Sequence, residues 1–290
     1  MTDVRKVSAS AGAEWLLGGF GLLRKAPGGL IATGLVFGLV SAIPMLFLAL
    51  SPHLVLALQL LIVLVTPVLL GGFVHAAREV DQGRSASPAQ LLEGFQNGRT
   101  LSLVALVVPQ IAFGIVAMVL LLMMVGLDQL QALVAAMEQA QAQTNPDPAL
   151  FAVFPAGRLL LWTLIVVVLA ILTYFYTFVA APQIMFEGRP AFAAMARSFG
   201  ACVRNLSAMV VFFLLLLLVA VLMGIASQLV SMVLGLFVGI LLAAGIAQIL
   251  LIAVLMPVVV GALYTAWQQM LAPADGVPAT TQATASGIEL

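Results

Sequence analysis

The sequence predicts an all-α integral membrane protein with six transmembrane helices, arranged as three helical hairpins, each preceded by an amphipathic helix on the cytoplasmic surface. Three observations lead there. Of 290 residues, 63% are hydrophobic and only 8% are charged, where soluble domains carry roughly 25% charged residues. The charges are clustered and leave four charge-free blocks, 26–77, 100–127, 159–186 and 207–271, of 52, 28, 28 and 65 residues. Finally, three segments with helical apolar spacing each lead straight into a long apolar run.

A helical span takes about 20 apolar residues. The 28-residue blocks therefore hold one span each, and the 52-residue block holds two, divided at Ser51-Pro52-His53. Three spans would use nearly all of block 207–271 and leave no room for turns, so two long helices turning within 231–239 are expected there. The spans are then about 30–50, 54–77, 101–127, 159–181, 207–234 and 238–271, in a single membrane domain over 1–271.

Lys and Arg placement sets orientation. With six spans, ten of the eleven cations share one side, and Arg158 alone is on the other. This distribution predicts that both termini and both charged inter-hairpin loops are cytoplasmic. Trp162, Tyr264 and Trp267 fall near span ends, as interfacial aromatics do. The first apolar stretch, 15–23, is short, Gly-interrupted and followed by Arg24-Lys25, so no cleaved signal peptide is expected. A single cysteine, Cys202, excludes an internal disulfide.

The first surface helix, 10–26, sets Trp15, Leu16, Phe20, Leu22 and Leu23 against Glu14, Gly18, Gly21, Arg24 and Lys25, and Pro27-Gly28-Gly29 stops it. Pro44 and Pro67 each remove a donor within a span and predict kinks. After a solvated loop, Ser87-Pro88-Ala89-Gln90 reads as a capping box with Pro at the first helical position. It opens the second surface helix, 88–98, whose apolar side is Leu91, Leu92 and Phe95. Span three is expected to run on as helix through 128–143, with Leu130, Leu133, Val134 and Met137 at helical spacing, until 144–148 breaks it. The stretch 182–207 joins spans four and five. Within it the third surface helix, 190–205, gathers Phe192, Met195, Phe199, Cys202, Val203 and, just past its end, Leu206 in one arc, with Arg197 and Arg204 nearly opposite. The tail 272–290, with Asp275 and Glu289 as its only charges, is expected to be a disordered cytoplasmic segment.

The unit repeats. Aligning Phe20, Phe95 and Phe199 puts Arg24-Lys25, Arg99 and Arg204 four or five places later, while Pro67 and Pro257 are each followed at the fourth place by Gly71 and Gly261. Even-spanned units imply parallel repeats about an axis along the membrane normal, and three would form a pseudo-threefold bundle. Mitochondrial carriers also have three two-span units, but their P-x-[DE]-x-x-[KR] signature is absent after Pro67, Pro182 and Pro257.

The string from Ala181-Pro182 through Glu187-Gly188-Arg189-Pro190 to Ala196-Arg197-Ser198-Phe199, Ala201-Cys202 and Arg204-Asn205, with Trp15 and Pro27 framing the first unit, resembles a family of uncharacterised proteobacterial six-span inner-membrane proteins. That family is similar to the membrane domain attached to some glycerophosphodiester phosphodiesterases. The resemblance implies location and architecture but no activity, and no soluble catalytic domain like that of those enzymes is expected within these 290 residues.

The expected spans contain no Asp, Glu, Lys or Arg, which argues against proton relays, charge-coupled transport and an aspartyl intramembrane protease. His53, His75 and Cys202 do not assemble a metal site or a nucleophile by spacing, so neither metal nor cofactor is expected. Two residue sets remain. Phe95, Arg99, Arg197, Phe199 and Arg204 are candidates for gathering anionic lipid, beside their ordinary role as orientation signals. Gln59, Gln110, Gln228 and Gln248 are the polar groups expected within hydrocarbon, either hydrogen-bonded between helices or lining a polar pocket beside Pro109-Gln110. The expected function is non-enzymatic, engaging membrane lipid or a membrane-protein partner and no nucleic acid; the alternative is a small permease for an uncharged or amphiphilic solute. A cavity lined by the glutamines would favour the permease, a dry bundle the first.

Overall fold

The computed structural model describes residues 4–47, 51–96, 98–141, 143 and 154–272. The tail expected beyond 272 and the expected break at 144–148 lie outside the described residues. Among the described residues every regular element is helical. Six helices are long and apolar enough to cross a membrane, making this a multi-pass membrane protein.

Local chemistry sets most of the boundaries. Helix α1 (Ala11–Lys25) ends where Ala26 leaves the helical region, and α2 (Pro27–Leu46) starts at once with Pro27, whose missing N–H would be unpaired there anyway. The Ser51 hydroxyl accepts from the Leu54 N–H at 3.4 Å and starts α3 (Pro52–Asp81). Pro88–Phe95 carries the expected Ser87–Gln90 capping box but winds as a 3-10 helix. Span three begins as α4 (Thr100–Val104), tightens into a 3-10 turn at Ala105–Val107 just ahead of Pro109, and continues as α5 (Val108–Met124).

Two sequence expectations need correction here. Span three does not run on into the next helix, because Gly126 takes a left-handed φ of +88° and α6 (Leu127–Gln141) starts afresh. The fourth span does not end before Pro182. After α7 (Ala156–Thr177) the chain breaks at Phe178–Val179 and resumes as the buried α8 (Ala180–Glu187), with Pro182 in its first turn where no donor is needed. Helix α9 (Ala191–Arg204) follows. The last block is two helices, α10 (Leu206–Val238) and α11 (Ile240–Met270), joined at Gly239, whose φ of +85° favours glycine.

The backbone N–H of Arg5 donates to the Met270 carbonyl at 3.0 Å, so residues 5 and 270 meet at one end of the bundle. This near end holds most of the core: Trp15, Phe73, Phe178, Met185, Phe212 and Met270 are fully buried. Away from it the spans turn apolar side chains outward, and only 17% of the most apolar window of α10 is buried. Helix α2 packs on α3, α5 on α7 and α10 on α11. The Trp162 indole fastens α7 to α5 by donating to the Ala117 carbonyl at 3.0 Å.

Three short elements fill the near end, each against the second long helix of the preceding pair. The 3-10 helix packs on α3, α9 on α7, and α1 on α11, which closes the series into a ring. Two of these contacts are matched atom for atom. A methyl group at Gly19 would overlap the Val258 carbonyl, and one at Gly94 would overlap the Val68 carbonyl. Gly19 and Gly94 each precede the aligned phenylalanines, while Val258 and Val68 each follow the aligned prolines. The third contact is polar: the Ser198 hydroxyl donates to the Phe175 carbonyl at 2.7 Å and accepts from the Val179 N–H at 3.1 Å. Ser198 thereby pairs backbone groups next to the break in span four, which hydrocarbon would leave unsatisfied.

Candidate functional site

Helix α9 has three faces. Ala191, Ala194, Met195, Ser198, Ala201 and Cys202 are buried; Phe192 and Val203 stand out, 69% and 51% exposed; Arg197 and Arg204 lie on the third. The apolar arc read from sequence is therefore divided, because the small residues beside it make the closer packing surface. Burial pushes the Cys202 thiol up to about 12, and it lies 3.8 Å from the Phe175 carbonyl. Only a thiolate reacts readily with maleimide. Cys202 is expected to resist maleimide at pH 7.5 in detergent and to react fully after denaturation in SDS; rapid labelling of the folded protein would contradict this burial.

Arg197 is structural. Its guanidinium donates to Glu187 at 2.8 Å and to the Leu271 carbonyl at 3.2 Å, with Gln183 at 3.5 Å. Burial pulls its pKa down from the ordinary arginine value while the Glu187 carboxylate opposes that shift, and an arginine stays cationic at neutral pH regardless. Glu187 also accepts from Arg189 at 2.6 Å and from the Trp267 indole at 2.9 Å. The buried Gln183 amide donates to the Val179 and Ala194 carbonyls. One carboxylate thus joins α8, α9 and α11.

A second knot ties α3 to α11. Asp81 accepts from Tyr264 and Gln268, each at 3.1 Å, and faces Lys25 at 3.4 Å. The Arg78 guanidinium sits 4.6 Å above the Phe186 ring, which in turn packs on Trp267. Asn205 holds the N-terminal segment by accepting from the Val7 N–H and donating to the Arg5 carbonyl. His75 lies 3.7 Å from Glu79. Among the described residues no three His, Cys, Asp or Glu side chains converge as metal ligands would.

The five residues proposed from sequence for lipid thus occupy different settings. Phe95 is 45% exposed at the end of the 3-10 helix, and Arg99 is half-buried at the start of span three. Phe199 stacks on Tyr176 with ring centroids 4.6 Å apart. Arg204 is exposed at the end of α9. Arg197 differs from the other four in being held within the network at 11% side-chain exposure.

At the opposite, far end a cavity of about 460 Å³ opens between α2, α3 and α11, and it brings together two of the four glutamines, Gln59 and Gln248. Its floor lies where Gly34 and Gly38 let α2 approach α11 at Ala253 and Ile249. Ser41 also lines it, its hydroxyl proton given to the Phe37 carbonyl at 2.9 Å. All four glutamines are exposed on the protein surface, and Gln110 and Gln228, on α5 and α10, do not line this cavity. This cavity is not the polar pocket expected beside Pro109-Gln110, since it lies between other helices and its wall is mostly apolar.

Sequence reading missed Gln183, Glu187, Asp81 and Asn205 as network residues. A signal was present for two of them, since Glu187 and Asn205 belong to the motif string that carried the family resemblance, where polar residues sit at fixed places in an apolar chain. No protein-family model, no curated protein and no solved structure matches this chain.

Proposed function

We propose that this is a non-enzymatic, multi-pass protein of the bacterial inner membrane, both termini cytoplasmic, whose near-end face gathers anionic lipid through amphipathic elements. The observation that carries the reading is that elements otherwise built into the near-end core keep large apolar side chains outside it, close to cations. Leu17 is 67% exposed and shares a face of α1 with Arg24, seven residues on; Leu92 and Phe95 precede Arg99; Phe192 and Val203 flank the face bearing Arg204. An apolar anchor beside a cation is the chemistry of an interfacial helix, and each cation near an anionic surface contributes about 1 kcal/mol. The hairpin repeat and the family resemblance support the same placement.

Replacing Arg99 and Arg204 by Gln, with Arg197 kept because it holds the core, is expected to lower co-purified anionic phospholipid several-fold while expression and thermal midpoint hold. Arg5, Lys6, Arg24 and Lys25 remain to direct orientation. That is verified by labelling Ser85→Cys only after permeabilisation and Glu138→Cys from outside. Unchanged lipid in amount and headgroup, at unchanged orientation, removes the proposal and leaves these arginines as orientation signals. The alternative, a permease for an uncharged or amphiphilic solute, draws on the far-end cavity. Against it stands the burial of Leu30, Phe37 and Phe73 on the near side of that cavity.

A further inference from the structure

The far-end cavity presents chemistry that its own walls leave unused. Gln59 and Gln248 each carry two donors and an acceptor, and neither amide is hydrogen-bonded to another protein group among the described residues. Ser41 has given its proton to Phe37 and offers only acceptor lone pairs. Among the described residues no charged side chain lines the cavity. In hydrocarbon an unpaired polar group costs several kcal/mol, so two unpaired amides on one cavity, with the free lone pairs of Ser41 beside them, favour an occupant that pairs with them.

Depth narrows the choice. Helix α11, at 31 residues, is roughly 46 Å long, which matches a bilayer of about 40–45 Å including headgroups. Gln248 is eight residues from the far end of α11 and Gln59 seven residues from that of α3, or roughly 10–12 Å inward. The hydrocarbon begins about 7 Å in on the same scale. The amides therefore lie just beneath the hydrocarbon edge, where the polar end of a lipid gives way to its chains. A volume of about 460 Å³ is within the usual range of ligand sites.

We infer that this cavity binds an uncharged acylglycerol, a lipid bearing both an ester carbonyl and a free hydroxyl. The ester accepts from the glutamine amides, and the hydroxyl donates to a glutamine carbonyl or to Ser41. A phospholipid at this depth would bring ester acceptors alone, leaving those protein acceptors unpaired, and a phosphate drawn inward would meet no cation. The inference goes beyond the near-end reading and stands without it, because the two sites share no residue.

The test uses the full chain in phosphatidylcholine nanodiscs and a diazirine-bearing monoacylglycerol, competed by excess monoolein. Labelling is expected on peptides from α2, α3 or α11. It should fall about tenfold in the Gln59→Leu/Gln248→Leu double variant, the loss of two net hydrogen bonds, and stay unchanged in Gln110→Leu/Gln228→Leu. Gly245→Leu gives an independent reading: its Cβ has open space, so a larger side chain fills the cavity without removing a polar group, and labelling should fall as well. Wild-type labelling in both the double variant and Gly245→Leu overturns the inference. Equal competition by excess phosphatidylglycerol overturns it too, since the occupant would then be a phospholipid. Because Arg99 and Arg204 are intact in all these variants, failure here does not touch the near-end proposal.

Discussion

Gly19→Leu and Gly94→Leu are each expected to destabilise the protein by about 3 kcal/mol, whereas Gly21→Leu, on the same helix as Gly19, should be neutral or slightly stabilising. Overpacking a core ordinarily costs about 1–3 kcal/mol because neighbouring side chains move aside. At Gly19 and Gly94 the neighbour is a backbone carbonyl, Val258 and Val68 respectively, held in the hydrogen-bonding of a long helix. It cannot rotate away. The short element itself has to lift from α11 or α3, uncovering core side chains such as Trp15 or Leu91. A methyl group at Gly21 meets nothing within 4 Å, and replacing glycine within a helix removes a propensity penalty of up to about 1 kcal/mol. Thermal midpoints in one detergent decide the matter. Equal midpoints for the Gly19 and Gly21 variants would mean that α1 is not seated on α11 as described.

Glu187→Gln is expected to cost a similar amount, about 3 kcal/mol, although it changes the side-chain volume hardly at all. Removing one partner of a largely buried pair leaves the other charge without compensation, a loss of about 3–5 kcal/mol. Arg197 and Glu187 are 11% and 14% exposed, while Arg189 is 34% exposed and better screened. Arg189→Gln should accordingly cost less than about 1 kcal/mol. Trp267 donates its indole N–H to Glu187, so its fluorescence should shift in Glu187→Gln and not in Arg189→Gln. Equal losses for the two variants would place the weight of the network outside the Glu187–Arg197 pair.

The six long helices were legible because length and apolarity are local properties of the chain. So was the turn at Gly239, since a 65-residue block has room for two helices and one bend. The alignment of Phe20 with Phe95 and of Pro67 with Pro257 turned out to mark partners as well as similar segments: it pairs Gly19 with Gly94 and Val258 with Val68, and each glycine packs on its valine. What sequence could not provide was which face of a short helix goes inward. On α9 the arc of large apolar residues read as one membrane-facing side of a surface helix, yet Met195 and Cys202 from that arc are buried together with Ala191, Ala194, Ser198 and Ala201, which permit close approach, and Phe192 is left outside. Arg197 and Arg204 also look alike on a helical wheel. They separate only because Glu187 and the Leu271 carbonyl arrive from other elements to meet Arg197. Likewise, nothing in their sequence surroundings distinguishes Gln59 and Gln248, which share a cavity, from Gln110 and Gln228, which do not.

The seating of α1 on α11 also bears on how the protein is made. Lys25 and Met270 are 245 residues apart, which at about 5–20 residues per second is roughly 12–50 seconds of synthesis. During that interval Phe178 and Phe212 can reach the Trp15 ring and Ala208 can reach Gly12, but Gly19 and the Trp15 indole N–H have no partner until Val258 and Gln269 arrive on α11. Helix α1, made before all six spans, is therefore among the last elements to be fully seated, and until α11 is inserted its open face must be sheltered by lipid or by the insertion machinery. Quality control could read this directly. A chain stalled before Ile240 would expose an uncovered N-terminal helix, and the ring would report its own completeness by hiding it.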